Sequence, residues 1–120
     1  MNKHTPETCQ RTLLSVKDTL YVLNGKWKLP IIIALSEGPL RFKELQRTLE
    51  NITPKVLSKE LKELEMHEFL QRTVHATTPV TVEYSLLPYS DSLQPAIDEL
   101  SKWGMAHKQR VIARMKDKTV

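Results

Sequence analysis

The hydrophobic period of this chain leaves the helical spacing in one place, and that place limits what the chain can fold into. Leu57, Leu61 and Leu64 recur at the spacing of a helix face, whereas 70–74 and 80–86 alternate apolar with polar residues. Between the alternating runs stands Ala76-Thr77-Thr78-Pro79, a turn-forming link that makes them a hairpin. A helix running straight into a two-stranded hairpin excludes an all-helical bundle. The absence of further alternating runs excludes a sandwich or barrel.

Four helices are expected ahead of the hairpin and one after it. Leu13, Val16, Leu20 and Leu23 form a stripe from about Thr12 to Leu23, ended by Asn24-Gly25. A second helix, about Lys26 to Ser36, offers Trp27, Ile31, Ala34 and Leu35 to the core, with Pro30 near its first turn. After the turn Glu37-Gly38-Pro39, a third helix from Arg41 or Phe42 to Leu49 aligns Phe42, Leu45 and Leu49. The break Glu50-Asn51-Ile52 precedes Thr53-Pro54, an N-cap followed by a first-turn proline, which opens a fourth helix reaching about His67. From about Ser90, Leu93, Ile97, Leu100, Trp103 and Val111 carry a helical stripe into a charged tail. The expected fold is mainly α with a small β-hairpin: an α+β, winged helix-turn-helix arrangement in one domain over 1–120. Within it lie an arm at 1–8, outer helices at 9–24 and 90–112, a core at 26–86 and a basic tail at 113–120.

Two short helices joined by a tight turn can seat the second in the major groove of double-stranded DNA, and a following hairpin lies beside the backbone. With its leucines turned inward, the fourth helix presents Lys55, Ser58, Lys59 and Lys62 together, behind Thr53 and Pro54 at its start. Such groups neutralise phosphates and reach base edges. Arg41 and Lys43 on the preceding helix, and Arg72, His75, Thr77 and Thr78 on the hairpin, are candidate flanking contacts. Two plainer readings stand beside this one: the lysines as a solvated face with charge pairs four residues apart, and the hairpin as a cover for the core.

Net charge does not decide between them. The chain carries 18 Lys and Arg against 14 Asp and Glu, a formal net charge of +4. From Arg41 to Glu83, however, seven basic residues meet seven acidic ones. Any DNA-binding core therefore needs its charges sorted by face, with Glu60, Glu63 and Glu65 expected at the flanks and far end of the fourth helix. A winged-helix module for protein–protein interaction is the alternative.

Cys9 is the single cysteine, so no internal disulfide is available. The longest apolar run, Ile31-Ile32-Ile33-Ala34-Leu35, is far short of the roughly 20 residues a bilayer span needs. A cytoplasmic protein without membrane contact is expected. His4, His67, His75 and His107 are scattered, which argues against a metal site, and no cofactor is implied. No glycine-rich phosphate loop or nucleophile elbow occurs, so no enzymatic activity is expected.

Several runs in order resemble the HxlR-type winged-helix regulators: Asn24-Gly25-Lys26-Trp27-Lys28, Gly38-Pro39-Leu40-Arg41-Phe42-Lys43-Glu44-Leu45 and Ile52-Thr53-Pro54-Lys55-Val56-Leu57-Ser58. Leu61-Lys62-Glu63-Leu64-Glu65, Val82-Glu83-Tyr84-Ser85-Leu86 and Trp103 complete the resemblance, which covers about Cys9 to Trp103. It implies a transcription regulator acting as a homodimer on a pseudo-palindromic operator. The dimer would form through the first and last helices, with Leu13, Val16, Leu20, Leu93, Ile97, Leu100 and Trp103 at the interface. The resemblance also makes Cys9 a candidate redox sensor for an oxidant or small-molecule effector; a small packing residue is the other reading of this thiol. The chain departs from the family pattern at Gln10, where proline often follows the cysteine, and at Glu68, where glycine is common. A further departure is Leu87-Pro88-Tyr89-Ser90 after the hairpin.

Overall fold

Capping residues set where the helices of this chain begin. In the computed structural model, which describes residues 5–118, helix α1 spans Pro6–Val22 and starts earlier than the apolar stripe suggests. Thr5 Oγ1 accepts from the Thr8 N–H at 3.1 Å while Thr8 Oγ1 accepts from the Thr5 N–H at 2.9 Å. This reciprocal cap, with Pro6 at the first helical position, satisfies donors a helix start otherwise leaves open. The expected arm over 1–8 is thus corrected: Pro6 to Thr8 are helical, and 1–4 lie outside the described residues.

Helix α2 (Lys28–Leu35) leads through Gly38 to a two-residue strand β1 (Leu40–Arg41) and helix α3 (Phe42–Leu49). Helix α4 (Pro54–Met66) follows, then strands β2 (Leu70–His75) and β3 (Thr81–Leu86). The sheet is antiparallel in the order β1-β3-β2. Leu40 faces Tyr84 and Arg41 faces Glu83 on one side of β3, while Leu70 pairs with Leu86 and His75 with Thr81 on the other. Strand β1 was not expected from sequence, because two residues show no alternation and exist as a strand only through β3.

Ile31, Ile32 and Leu35 of α2, Leu45 of α3, and Leu57, Leu61 and Leu64 of α4 are buried, together with Ile52, Phe69 and Leu70. Each such side chain contributes on the order of 1.5–3 kcal/mol by leaving water. Trp27 and Ala34, expected in this core, are only half-buried, and Lys28 is buried instead. Lys26 Nζ lies 5.1 Å over the Trp27 ring, covering its outer side.

The end of α4 explains one departure from the family pattern. Glu68 sits at φ 65°, the left-handed region that glycine adopts freely. A side chain there costs about 1–2 kcal/mol. The His67 N–H still bonds the Glu63 carbonyl and the Phe69 N–H the Leu64 carbonyl, so the chain turns into β2 with these bonds satisfied.

By its internal contacts the chain divides into two compact units, Met1–Leu87 and Pro88–Val120. In the second, a 3-10 turn over Pro88–Leu93 precedes helix α5, Gln94–Lys118. The last helix therefore begins later than Ser90. It also takes in 113–118 of the expected tail, and 119–120 lie outside the described residues.

Candidate nucleic-acid interface

The reading helix is set up by the turn before it. Glu50 and Asn51 both have positive φ (51° and 56°), which reverses the chain within two residues after α3. Buried Ile52 anchors the reversal, and Thr53 Oγ1 accepts from the Val56 N–H at 3.2 Å to start α4 with Pro54 at its first position. Because Leu57, Leu61 and Leu64 face the core, Lys55, Ser58, Lys59 and Lys62 come out on one side, where they line a single shallow depression with Glu63. Lys55, Lys59 and Lys62 are exposed and Ser58 is half-buried.

A second basic group flanks the first. Arg41, Lys43 and Arg47 border a depression between α3 and the turn end of the hairpin, whose far wall is Pro79, Val80, Thr81 and Val82. Lys43 and Arg47 also line a neighbouring depression with Gln46, Asn51 and Ile52. Arg47 was missed by the sequence reading, although its signal was present. It lies four residues after Lys43, so turning Phe42, Leu45 and Leu49 inward puts both on the outer face.

The hairpin residues are not brought together as expected. Arg72 and His75 are three apart on β2 and so project from opposite faces. His75 Nε2 lies 2.8 Å from Glu83 Oε1, and Thr77 Oγ1 donates to the Pro79 carbonyl at 2.7 Å. Both side chains are thus engaged within the hairpin. Arg72 and Thr78 stay exposed.

The acidic residues of α4 resolve the neutral charge balance differently from expectation. Glu60 does not sit on a flank: it is buried, pointing inward to Lys28. Lys28 Nζ donates to Glu60 Oε1 at 2.7 Å, to Glu63 Oε1 at 2.6 Å and to Asn24 Oδ1 at 3.1 Å. Glu63 Oε2 in turn lies 3.3 Å from Lys59 Nζ. Burial alone would push the Lys28 ammonium down, but the hydrogen bonds and negative charges of Glu60 and Glu63 outweigh it and hold its pKa above the ordinary 10.5. The same bonds from Lys28, then those from Lys59, hold Glu63 below the usual 4.5. Glu60 of α4 is thereby drawn inward to a buried cation, while Glu63 is shared between Lys28 and Lys59 at the edge of the lysine face.

The predicted interface residues are open on α1. Leu13, Val16 and Leu20 are 61%, 50% and 62% exposed, and no residue of that helix is buried. On α5, Leu93 and Ile97 are half-buried, Leu100 and Trp103 exposed, and the Trp103 ring stacks on His107 at 4.9 Å. Cys9 is exposed in the first turn of α1. Among the described residues no cluster of three or more His, Cys, Asp or Glu could hold a metal ion. No helix among them is long and apolar enough to cross a membrane.

The HxlR-like helix-turn-helix family matches this chain over residues 22–112. The HTH-type transcriptional regulator YtcD of Bacillus subtilis is 43% identical over 98 residues, covering 82% of this chain and 78% of the relative. The crystal structure of YtcD superposes with a TM-score of 0.75 at 41% identity, covering 78% of this chain and 96% of that one. The redox regulator HypR in its reduced form gives a TM-score of 0.76 at 32% identity, with coverages of 82% and 98%. The quinone-bound YodB of B. subtilis gives 0.66 at 33%, with coverages of 77% and 97%. By the match over residues 22–112 and the likeness to these regulators, the chain belongs to the HxlR-like helix-turn-helix family of DNA-binding transcriptional regulators.

Proposed function

We propose that this regulator binds a pseudo-palindromic operator as a homodimer, each protomer reading the major groove with Thr53, Pro54, Lys55, Ser58, Lys59 and Lys62. The lysine face of α4 carries this reading, since Glu60 is turned inward to Lys28 and Glu63 is shared between Lys28 and Lys59. Arg41, Lys43 and Arg47 contact the flanking backbone, with Arg72 and Thr78 on the hairpin. The uncovered stripe Leu13, Val16 and Leu20, and Leu100 and Trp103 on α5, support pairing with a second copy. Two-fold pairing sets the half-sites about one helical turn, roughly 34 Å, apart.

Fluorescence anisotropy on DNA from upstream of the chain's own gene, with unrelated DNA as competitor, tests this reading. Binding is expected to survive the competitor with two chains per duplex, and its affinity to fall steeply as salt rises. No binding even at low salt would instead favour a protein-interaction module.

A second reading concerns regulation, and what favours it is the exposed thiol of Cys9 one turn into α1. The similarity to HypR, a redox regulator, and to quinone-bound YodB is consistent with an oxidant or electrophile acting there. Diamide or quinone treatment is expected to change operator affinity in the wild type and leave Cys9→Ser unaffected. Equal affinity before and after treatment would remove Cys9 as the sensor.

A further inference from the structure

We propose that Lys28 is a positioning residue for DNA recognition, holding α4 at the rotation that presents Lys55, Lys59 and Lys62 outward and tying that helix to the end of α1. The proposal rests on the DNA-binding reading given above, and on a continuous chain of contacts. Asn24 Nδ2 donates to the Tyr21 carbonyl in the last turn of α1, at 2.8 Å. Asn24 Oδ1 accepts from Lys28 Nζ, which also donates to Glu60 and Glu63 of α4, and Glu63 reaches Lys59 on the reading face.

The site is built for geometry more than for attraction. The Lys28 side chain is 1% exposed and that of Glu60 6%, on elements 32 residues apart in sequence. The leucine contacts between α2 and α4 are non-directional and tolerate a small rotation or slide. An ammonium with three donors aimed at three fixed oxygens does not, because each displaced bond leaves a buried charge less well paired. Its two carboxylates occupy successive turns of α4, Glu60 buried on the inward side and Glu63 half-buried at the edge of the lysine face, so both the rotation and the height of the helix are specified. Lys59, four residues before Glu63, is steered by the same carboxylate. A shift of the α1 end would act on this chain through Asn24.

The test is the double variant Lys28→Met/Glu60→Met, which removes the buried charges in pairs at unchanged net charge and fills their volume with apolar groups. Replacement of a whole buried pair in this way usually preserves folding. The ratio of operator to competitor affinity is expected to fall roughly tenfold, the size of one lost directional base contact. The salt dependence should stay as in the wild type, because neither residue touches phosphate. A purely structural pair would move thermal stability and leave the ratio alone, and that result overturns the proposal. If the double variant does not fold, Glu60→Gln keeps the shape and is expected to lower the ratio about threefold, within the range that residues remote from a site exert; an unchanged ratio again overturns it. Should the wild type itself show no operator preference, the DNA-binding reading fails and the role of Lys28 in recognition falls with it; a preference in the wild type that the variant keeps unchanged overturns the positioning role alone.

Discussion

Lys28→Met alone is expected to destabilise the protein by about 3–5 kcal/mol, measured by chemical denaturation at neutral pH, because the cation leaves while Glu60 stays buried. That is a large share of the roughly 5–15 kcal/mol by which domains are stable. The pH dependence carries the same signature. Glu63 is held below 4.5 in the folded wild type, so its contribution is present above that value and is lost as pH falls through the lowered one. Lys28 is held above 10.5, so its contribution is present below that value and is lost as pH rises through the raised one. Wild-type stability from this cluster is therefore flat across the neutral range. A deficit under about 1 kcal/mol at neutral pH, the size of an exposed pair, would mean that water solvates the cluster.

The reading face gives the largest effect on binding. The triple variant Lys55→Ala/Lys59→Ala/Lys62→Ala removes three exposed cations from α4. If each meets a phosphate in both protomers of the dimer, six contacts are lost, and the slope of log affinity against log salt should become shallower by about 5.4, at roughly 0.9 per contact. Operator affinity at moderate salt should drop on the order of 1000-fold or more, at roughly threefold to tenfold per contact. Folding is expected to survive, since alanine is the best helix former, Lys59 is exposed, and Glu63 keeps its bond from Lys28. An unchanged salt slope would move the DNA-facing surface away from α4, and the Arg41, Lys43 and Arg47 group would be the next candidate.

Much of this protein was determined by sequence through local physics. Helix α4 was readable at both ends because Thr53 and Pro54 act on their own first turn, and because Leu57, Leu61 and Leu64 sort themselves onto one side by the period alone. Strands β2 and β3 were readable from alternation, and the basic face from what the leucines leave outside. The start of α1 was missed although its cap is also local. Thr5 and Thr8 cap each other across one turn, whereas the apolar stripe first shows at Leu13. Tertiary structure decided the rest. Strand β1 exists because β3 offers an edge to Leu40 and Arg41. Arg72 and His75 separate because strand parity acts once the hairpin forms. Glu60 was taken for a flank residue because its spacing says only that it lies near Leu57, Leu61 and Leu64. What turned it inward was Lys28, far away in the chain, since a buried charge is tolerable only beside its counter-charge and pairing at that distance is written by packing, not by period.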